Sequence, residues 1–330
     1  MYIVNLSQDK NSANPYLSTT LLSHIDKVLL RWEKVLLYMN KRWEYASLIC
    51  QSCQHIHTCQ NCDVSLSLHA RPERLICHIC DMTYPMNNAC ASCHKKTLQK
   101  VWVGTQQIES SLEQYYPKAK ICRFDTDSIK NKTEKLSAIS MLTSADIIIG
   151  TKMITTGFNI PNLGLIWVIL LEQELQIPSY NTHEQVYSNI TQLLWRGWRV
   201  QQKTEIIIQT FVPKNQMIES ITGSNYKDFF SATLTERKLF QYPPFCEMVT
   251  LVYRHSDKQK SHVFLSKIHT KISGQAEQKK IYISQIWNGI KKQNQYFYSC
   301  IIKGHKLHDF LQIIKPEIYR NSWLQVIWGS

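Results

Sequence analysis

This sequence has no long apolar run and no phosphate-binding glycine loop, and it contains little glycine. Its apolar runs, such as Ile166–Leu171, are too short to cross a bilayer, so we expect a cytoplasmic protein with no membrane partner. No G-x-x-x-x-G-K-[ST] stretch and no Asp-Glu pair occurs. The chain therefore lacks the usual cradle for a nucleotide β-phosphate and the usual ligands for Mg²⁺. Glycine accounts for only 10 of 330 residues, whereas an average protein has about 7%.

Length and net charge indicate the number of domains and the kind of partner. A chain of 330 residues corresponds to about two domains by the usual length prior. Its formal net charge of +13 favours an acidic partner, most simply a nucleic acid. A basic surface that merely aids solubility would give the same count, and charge alone does not separate the two interpretations.

Paired cysteines are the strongest signal in the sequence. Two C-x-x-C pairs supply the four thiolates that one tetrahedral Zn²⁺ needs, so four pairs predict two closed, structural zinc sites. Disulfides are disfavoured, because no signal peptide precedes the cysteines. The pairs are Cys50/Cys53, Cys59/Cys62, Cys77/Cys80 and Cys90/Cys93.

Spacing alone does not decide which pairs share an ion, and three combinations are possible. The two inner pairs flank a fourteen-residue segment, which is close to the spacing of a zinc ribbon and favours a nested arrangement. Site 1 would then be Cys50, Cys53, Cys90 and Cys93, and site 2 would be Cys59, Cys62, Cys77 and Cys80. Histidines in the same stretch could replace a ligand, although a position outside the ligand set is the simpler interpretation; they are His55, His57, His69, His78 and His94.

Short apolar strands alternate with helices on both sides of the cysteines. This alternation predicts a parallel sheet covered on both faces. The predicted strands are Tyr2–Leu6, Val35–Met39, Ile121–Phe124, Asp146–Ile149, Leu165–Leu171 and Glu205–Thr210, and the predicted helices are Ser18–Leu30, Ile108–Tyr116, Lys130–Leu142 and His183–Leu194. A smaller α+β pattern follows, with helices at Tyr226–Leu239, Lys260–Ser273 and Leu307–Ile314 and strands at Glu247–Tyr253, Lys280–Ile286 and Tyr296–Ile302.

The predicted domain organisation is an α/β fold interrupted by the cysteine segment. Residues 1–49 begin the sheet domain, 50–94 form an inserted two-zinc module, 95–213 complete the sheet domain and 214–330 form a C-terminal α+β domain. Ligands of parallel sheets bind at the carboxyl ends of the strands. We therefore expect the chemistry in the loops after Ile149, Leu171 and Leu194.

Two motifs after the cysteines carry a resemblance to a known family. The stretch Gly150–Ile154, followed by Gly157, is similar to helicase motif V. Gln192, followed by Arg196 and Arg199, is similar to motif VI. Together with the spacing of the cysteines, the order of these motifs resembles the PriA family of primosomal replication-restart DNA helicases over nearly all of the chain.

The resemblance implies the second, RecA-like motor lobe of an ATP-dependent 3′-5′ DNA helicase that restarts stalled replication forks and assembles the primosome. It also implies the nested zinc pairing. Its partners would be branched or single-stranded DNA, primosome proteins and single-strand-binding proteins. It implies that Gly150, Thr151, Lys152 and Gly157 contact phosphate or nucleic acid, where backbone N–H groups and a lysine suit an anion.

A catalytic role for three residues of motif VI is implied in the same way. Arg196 and Arg199 would reach the γ-phosphate of ATP held by the opposing lobe, as arginine fingers do. Gln192 would belong to the same catalytic set. In the family the P-loop and the Mg²⁺ ligands belong to the first motor lobe. ATP and Mg²⁺ are therefore expected only when that lobe is supplied, and the chain alone is expected to be inactive.

Two other interpretations stay open at this point. The chain could be a non-catalytic, zinc-dependent module that binds DNA or protein, or it could be the product of a truncated pseudogene. Departures from the family pattern bear on both, since Glu172 stands where the family usually has Asp and Thr156 precedes Gly157 where lysine is usual.

Tryptophan occupies six places where the family pattern has glycine. We hypothesise that their codons are UGA, read as glycine by the organism and as tryptophan in this sequence. The alternatives are true substitution and aromatic residues that stack on bases. The positions are Trp32, Trp43, Trp102, Trp167, Trp195 and Trp198.

Overall fold

The computed structural model describes most of the chain as two compact units. One unit comprises Met1–His57, Ser65–Leu75 and Pro85–Phe229, and the other comprises Thr58–Val64, Ile76–Tyr84 and Phe230–Ser330. The residues described are 1–9, 14, 16–39, 47–53, 55–60, 66–70, 73–77, 82–86, 89–101, 103–124, 140–155, 160–175, 179–199, 204–223, 225–292 and 294–329. Within these ranges, no helix has the length and apolar character needed to cross a membrane.

Strands and helices are numbered here in chain order. The strands are β1 Tyr2–Asn5, β2 Lys34–Tyr38, β3 Ser47–Cys50, β4 Ser67–Ala70, β5 Glu73–Ile76, β6 Thr83–Pro85, β7 Leu98–Val101, β8 Ile121–Phe124, β9 Ile147–Gly150, β10 Leu163–Ile169, β11 Glu205–Thr210, β12 Glu247–His255, β13 Tyr282–Ile283, β14 Trp287–Lys292, β15 Gln295–Gly304 and β16 Leu324–Trp328. The helices are α1 Thr19–Leu30, α2 Thr105–Tyr115, α3 Glu172–Leu175, α4 Thr182–Arg199, α5 Gln216–Thr222, α6 Tyr226–Leu239, α7 Lys258–Ala276, α8 Leu307–Leu311 and α9 Lys315–Arg320.

A six-stranded parallel sheet forms the core of the first unit. Its strand order is β1-β11-β10-β2-β9-β8. All seven residues of β10 are buried, as expected for an inner strand of a parallel sheet with helices over it. Helix α1 packs on β2 and β10, α2 packs on β8, and α4 packs on β10 and β11. The predicted α/β class is confirmed.

Helix α1 shows how local sequence sets the ends of a helix in this sheet domain. Ser18 caps its N-terminus, because the Ser18 hydroxyl oxygen accepts a hydrogen bond from the Leu21 amide at 3.1 Å. At the other end, the Trp32 N–H donates to the Leu29 carbonyl at 3.0 Å and the Glu33 N–H donates to the Val28 carbonyl at 3.1 Å. These two bonds form a Schellman motif.

Residue 32 takes the left-handed position of that motif. Its φ is 58°, and Trp32 is 89% exposed. Glycine is the usual residue at this position, since it has no Cβ to clash there.

An antiparallel sheet organises the second unit. Its order is β13-β15-β12-β16, and β14 also pairs with β15. Helix α7 covers one face, because its apolar residues Leu265, Ile268 and Ile272 belong to the same buried cluster as Val249 and Leu251 of β12. The predicted C-terminal α+β domain is therefore present.

The observed elements depart from the predicted ones mainly where strands are short or lie at an edge. Within the predicted strand Lys280–Ile286 only Tyr282–Ile283 pairs, and the chain re-enters the sheet as β14. Strand β16 was not predicted. It is an edge strand with several exposed residues, and it lacks the regular alternation of apolar and polar residues that predicts a strand. The predicted helix Lys130–Leu142 lies mostly outside the described residues.

Candidate functional site

Four cysteines meet where the cysteine segment leaves and rejoins the sheet domain. Cys50 ends β3, which pairs antiparallel with β7, so that the chain before the insertion lies beside the chain after it. The four sulfur atoms of Cys50, Cys53, Cys90 and Cys93 all lie within 4.8 Å of one another. These are the residues that the nested pairing assigns to site 1.

The sulfur separations fit a tetrahedral zinc ion. The Sγ atoms of Cys50 and Cys93 are 3.6 Å apart, and those of Cys53 and Cys90 are also 3.6 Å apart. A Zn–S bond of about 2.3 Å gives an edge of about 3.8 Å in a regular tetrahedron. Four thiols at these distances match the donor set of a closed, structural zinc site.

Backbone hydrogen bonds shape the turns that present these cysteines. The Cys50 N–H donates to the His55 carbonyl, and the Cys90 N–H donates to the Lys95 carbonyl, each at 3.0 Å. Both bonds join a cysteine to the fifth residue after it. The Ser92 N–H also points at the Cys90 sulfur, at 3.3 Å. Each C-x-x-C pair therefore sits on a tight turn that aims its sulfurs inward.

The thiols of this cluster differ in pKa. Burial tends to raise the pKa of Cys50, but hydrogen bonds from the Thr97 hydroxyl and from nearby backbone amides lower that pKa to about 6. A backbone hydrogen bond at Lys95 lowers the pKa of Cys93, yet burial and the neighbouring thiols outweigh it and raise that pKa to about 11. A bound divalent ion would give all four cysteines the same protonation state, because a coordinated thiol is deprotonated.

The second predicted quartet is only half described. Cys59 and Cys77 are buried, while Cys62 and Cys80 lie outside the described residues. The Cys77 N–H donates to the Met82 carbonyl at 3.0 Å, which repeats the bond from a cysteine to the fifth following residue seen at both turns of site 1. The second ion stays a prediction.

The loop after β9 carries the predicted phosphate-binding residues. Gly150 ends the strand, and a Cβ there would come within 2.7 Å of the Ile154 side chain, so the strand end is closely packed. Thr151 is buried and its N–H donates to the Phe124 carbonyl at 3.3 Å, so this amide already has a partner. Lys152 is exposed. Gly157 lies outside the described residues.

Helix α4 carries the predicted catalytic residues. Gln192 is exposed, and its Nε2 donates to the Ser188 hydroxyl at 3.3 Å. Arg196 and Arg199 belong to the last turn of the helix. Their side chains lie outside the description, so their predicted role stays a prediction.

Comparison with known proteins identifies the family. A profile of the PriA DNA helicase Cys-rich region (CRR) domain matches residues 59–85. Replication restart protein PriA of Bacillus subtilis strain 168 is 28% identical over 297 residues, which cover 89% of this chain and 37% of the relative. The corresponding proteins of Chlamydia trachomatis serovar D and Borreliella burgdorferi are each 30% identical, over 76% and 80% of this chain and over 34% and 40% of the relative. The chain is a partial member of the PriA family. It spans about two fifths or less of the length of these curated relatives.

Two buried acids at the edge of this PriA-family sheet were not among the predicted site residues. Glu172 and Glu174, in α3, directly follow the buried end of β10. Glu172 accepts hydrogen bonds from the Thr210 hydroxyl at 2.7 Å and from the Phe211 N–H at 2.8 Å. Burial raises the pKa of both carboxyls, although their hydrogen bonds oppose the rise.

Glu174 connects the elements that carry the predicted motifs. The Asn189 amide, on α4, donates to Glu174 Oε2 at 3.1 Å. Glu174 also lies close enough to Lys152 for that charge to lower its pKa, and burial beside Glu174 raises the pKa of Tyr38 at the end of β2. The sequence signal for these two acids is their position directly after the apolar run that ends at Leu171.

Proposed function

We propose that this chain supplies the second motor lobe, the zinc module and the C-terminal domain of a replication-restart DNA helicase. The observation that carries the proposal is the cysteine quartet that joins β3 to β7 within a parallel sheet domain. The CRR profile matches the segment enclosed by that quartet. On this proposal the complete machine is an ATP-dependent 3′-5′ helicase that acts on branched or single-stranded DNA.

The zinc ions have a structural role in this proposal. Cys50, Cys53, Cys90 and Cys93 hold the first ion. Cys59, Cys62, Cys77 and Cys80 hold the second, and the repeated backbone bond at Cys77 supports a turn of the same build there. The bound ions neutralise the thiolates and contribute folding free energy to a module that has few apolar residues.

Motor residues occupy the carboxyl edge of the sheet in this proposal. Gly150, Thr151, Lys152 and Gly157 bind phosphate or nucleic acid, and Gln192, Arg196 and Arg199 complete an ATP site whose P-loop and Mg²⁺ ligands come from another lobe. Support comes from Glu174, which joins the Lys152 region to α4 through Asn189. The phosphate loop and the arginine helix then keep a fixed relation to each other.

The partners follow from the family and from charge. A formal net charge of +13 suits a polyanion. The curated relatives are named replication restart proteins, and we extend that role to this chain, with primosome and single-strand-binding proteins as partners in the cytoplasm. A non-catalytic, zinc-dependent binding module or the product of a truncated pseudogene is the second candidate, and the closed cysteine quartet, which suits a structural ion, favours the binding module.

A paired experiment separates these candidates. The chain is combined with a P-loop lobe from a PriA-family protein, and ATP hydrolysis is measured with forked DNA. We expect hydrolysis that is lost in Arg199→Ala and kept in the control Arg320→Ala, whose arginine lies in α9 of the other unit. Forked-DNA binding without hydrolysis in every combination would favour the binding module, and neither activity would favour the pseudogene product.

A further inference from the structure

Residue 32 has a backbone conformation that does not suit its side chain. The Schellman motif at the end of α1 places it at a φ of 58°, and 89% of its surface is exposed. The indole of Trp32 therefore gains little from packing, while its Cβ meets the steric conflict of the left-handed region. Glycine has no Cβ that would clash in the left-handed region and no large apolar side chain to leave in water.

Left-handed backbone alone does not select glycine in this chain. Leu170, Gln241, Lys280 and Lys306 adopt it as well. What distinguishes residue 32 is the combination of that backbone with the largest side chain, almost fully in water. Among the tryptophans that the structure describes, only Trp32 has a positive φ.

A second tryptophan is misplaced for a different reason. Trp167 is fully buried in β10, where it pairs with Leu37 of β2 and Ile207 of β11. Its Nε1 is buried and has no hydrogen-bond partner among the residues that the structure describes. A buried indole normally finds an acceptor for its N–H, and a donor that is left unsatisfied destabilises the fold.

The third observation lies on the arginine helix. Trp195 is 57% exposed in α4 and directly precedes Arg196. It also lies four residues before Arg199 in the sequence of the same helix. Trp198 lies three residues after Trp195, so two indoles share the segment that the proposed function gives to ATP.

We infer that Trp32, Trp167 and Trp195 are encoded by UGA and that the protein made in its own cell carries glycine at these positions. We extend the inference to Trp43, Trp102 and Trp198, because they too stand where the family pattern has glycine and any UGA in the same gene is read in the same way. Six glycines in place of six tryptophans bring the glycine count from 10 to 16. That count is nearer the usual share of about 7%.

The inference changes the arginine helix most. With glycine at residues 195 and 198, each of the two proposed catalytic arginines, Arg196 and Arg199, directly follows a residue without a side chain. This consequence rests on the proposed function, whereas the codon assignment does not, because residues 32 and 167 support it through backbone conformation and an unsatisfied N–H.

Codons and native peptide masses test the inference directly. We expect UGA at the six codons, and peptides of the protein isolated from its own cells should have the mass of glycine at residues 32, 167 and 195. UGG at any of these three codons overturns the inference. So does a tryptophan mass at residue 32, whatever the codon. Neither measurement depends on ATP hydrolysis or on DNA binding by the protein, so failure of the helicase proposal would leave the result unchanged.

Discussion

Replacing Trp32 by glycine should stabilise the sheet domain, although glycine substitutions usually destabilise proteins. An L-residue in left-handed backbone costs about 1–2 kcal/mol, and glycine avoids that cost. Against this, glycine lowers the free energy of unfolding by about 0.5–1 kcal/mol, because it has greater conformational freedom in the unfolded chain. Since 89% of Trp32 is exposed, little packing is lost. We expect a net gain of about 0.5–1 kcal/mol in the free energy of unfolding.

The measurement is urea unfolding of the zinc-loaded chain, followed by far-ultraviolet circular dichroism so that the lost indole does not alter the signal. A gain of about 0.5–1 kcal/mol corresponds to a rise in Tm of about 1–4 °C for a unit of this size. The midpoint should rise with an unchanged slope.

Trp195→Gly is the matched control. It makes the same chemical change in the same unit at another exposed tryptophan, but inside α4, where glycine is about 0.5 kcal/mol worse than tryptophan. We expect stability to fall. If Trp32→Gly also lowers the free energy of unfolding, or leaves it unchanged, the strain assigned to residue 32 is refuted.

Three further predictions concern metal, pH and activity. Cys53→Ser should lower the bound zinc by one ion per chain and reduce the protection of the β3 and β7 amides from hydrogen exchange. The control Cys246→Ser, whose cysteine is remote from the cluster in sequence, should keep full zinc content. Equal zinc content in both variants would contradict site 1. Burial raises the pKa of Glu172 above its ordinary value of 4.5, so its contribution to stability is present below that value and is lost as pH rises through the raised pKa; Glu172→Gln should flatten this part of the stability curve, and superimposable curves would argue against it. The chain alone should release no phosphate from ATP above the buffer rate in a coupled assay, and DNA-stimulated turnover by the purified chain would disprove the need for a second lobe.

The sheet domain could be predicted because its strands are continuous apolar runs. Ile121–Phe124 was placed without error, and the buried run that became β10 was found to within two residues at each end. Such runs indicate burial on both faces, whatever the tertiary context. The nested grouping of the outer cysteines was favoured on spacing and agrees with the observed cluster of site 1.

Features that depend on tertiary contacts could not be predicted in this way. The Glu174–Asn189 bond joins residues whose sequence gives no sign that they meet. Strand β16 pairs with β12 at the edge of the antiparallel sheet, and only the pairing makes it a strand. The left-handed backbone at Trp32 follows from the end of α1, and a sequence that shows tryptophan there predicts nothing of the kind.

The pairing of β3 with β7 has a consequence for how this fold can vary. The two strands lie antiparallel, and Cys50, the last residue of β3, lies beside Cys93, so the inserted module leaves and rejoins the sheet domain at one place. We therefore expect residues added or deleted between Cys53 and Cys90 to leave β2 and α2, which lie on either side of the insertion in the chain, in place. The length and sequence of the inserted module are thus free to diverge, while the sheet domain that carries it keeps its geometry.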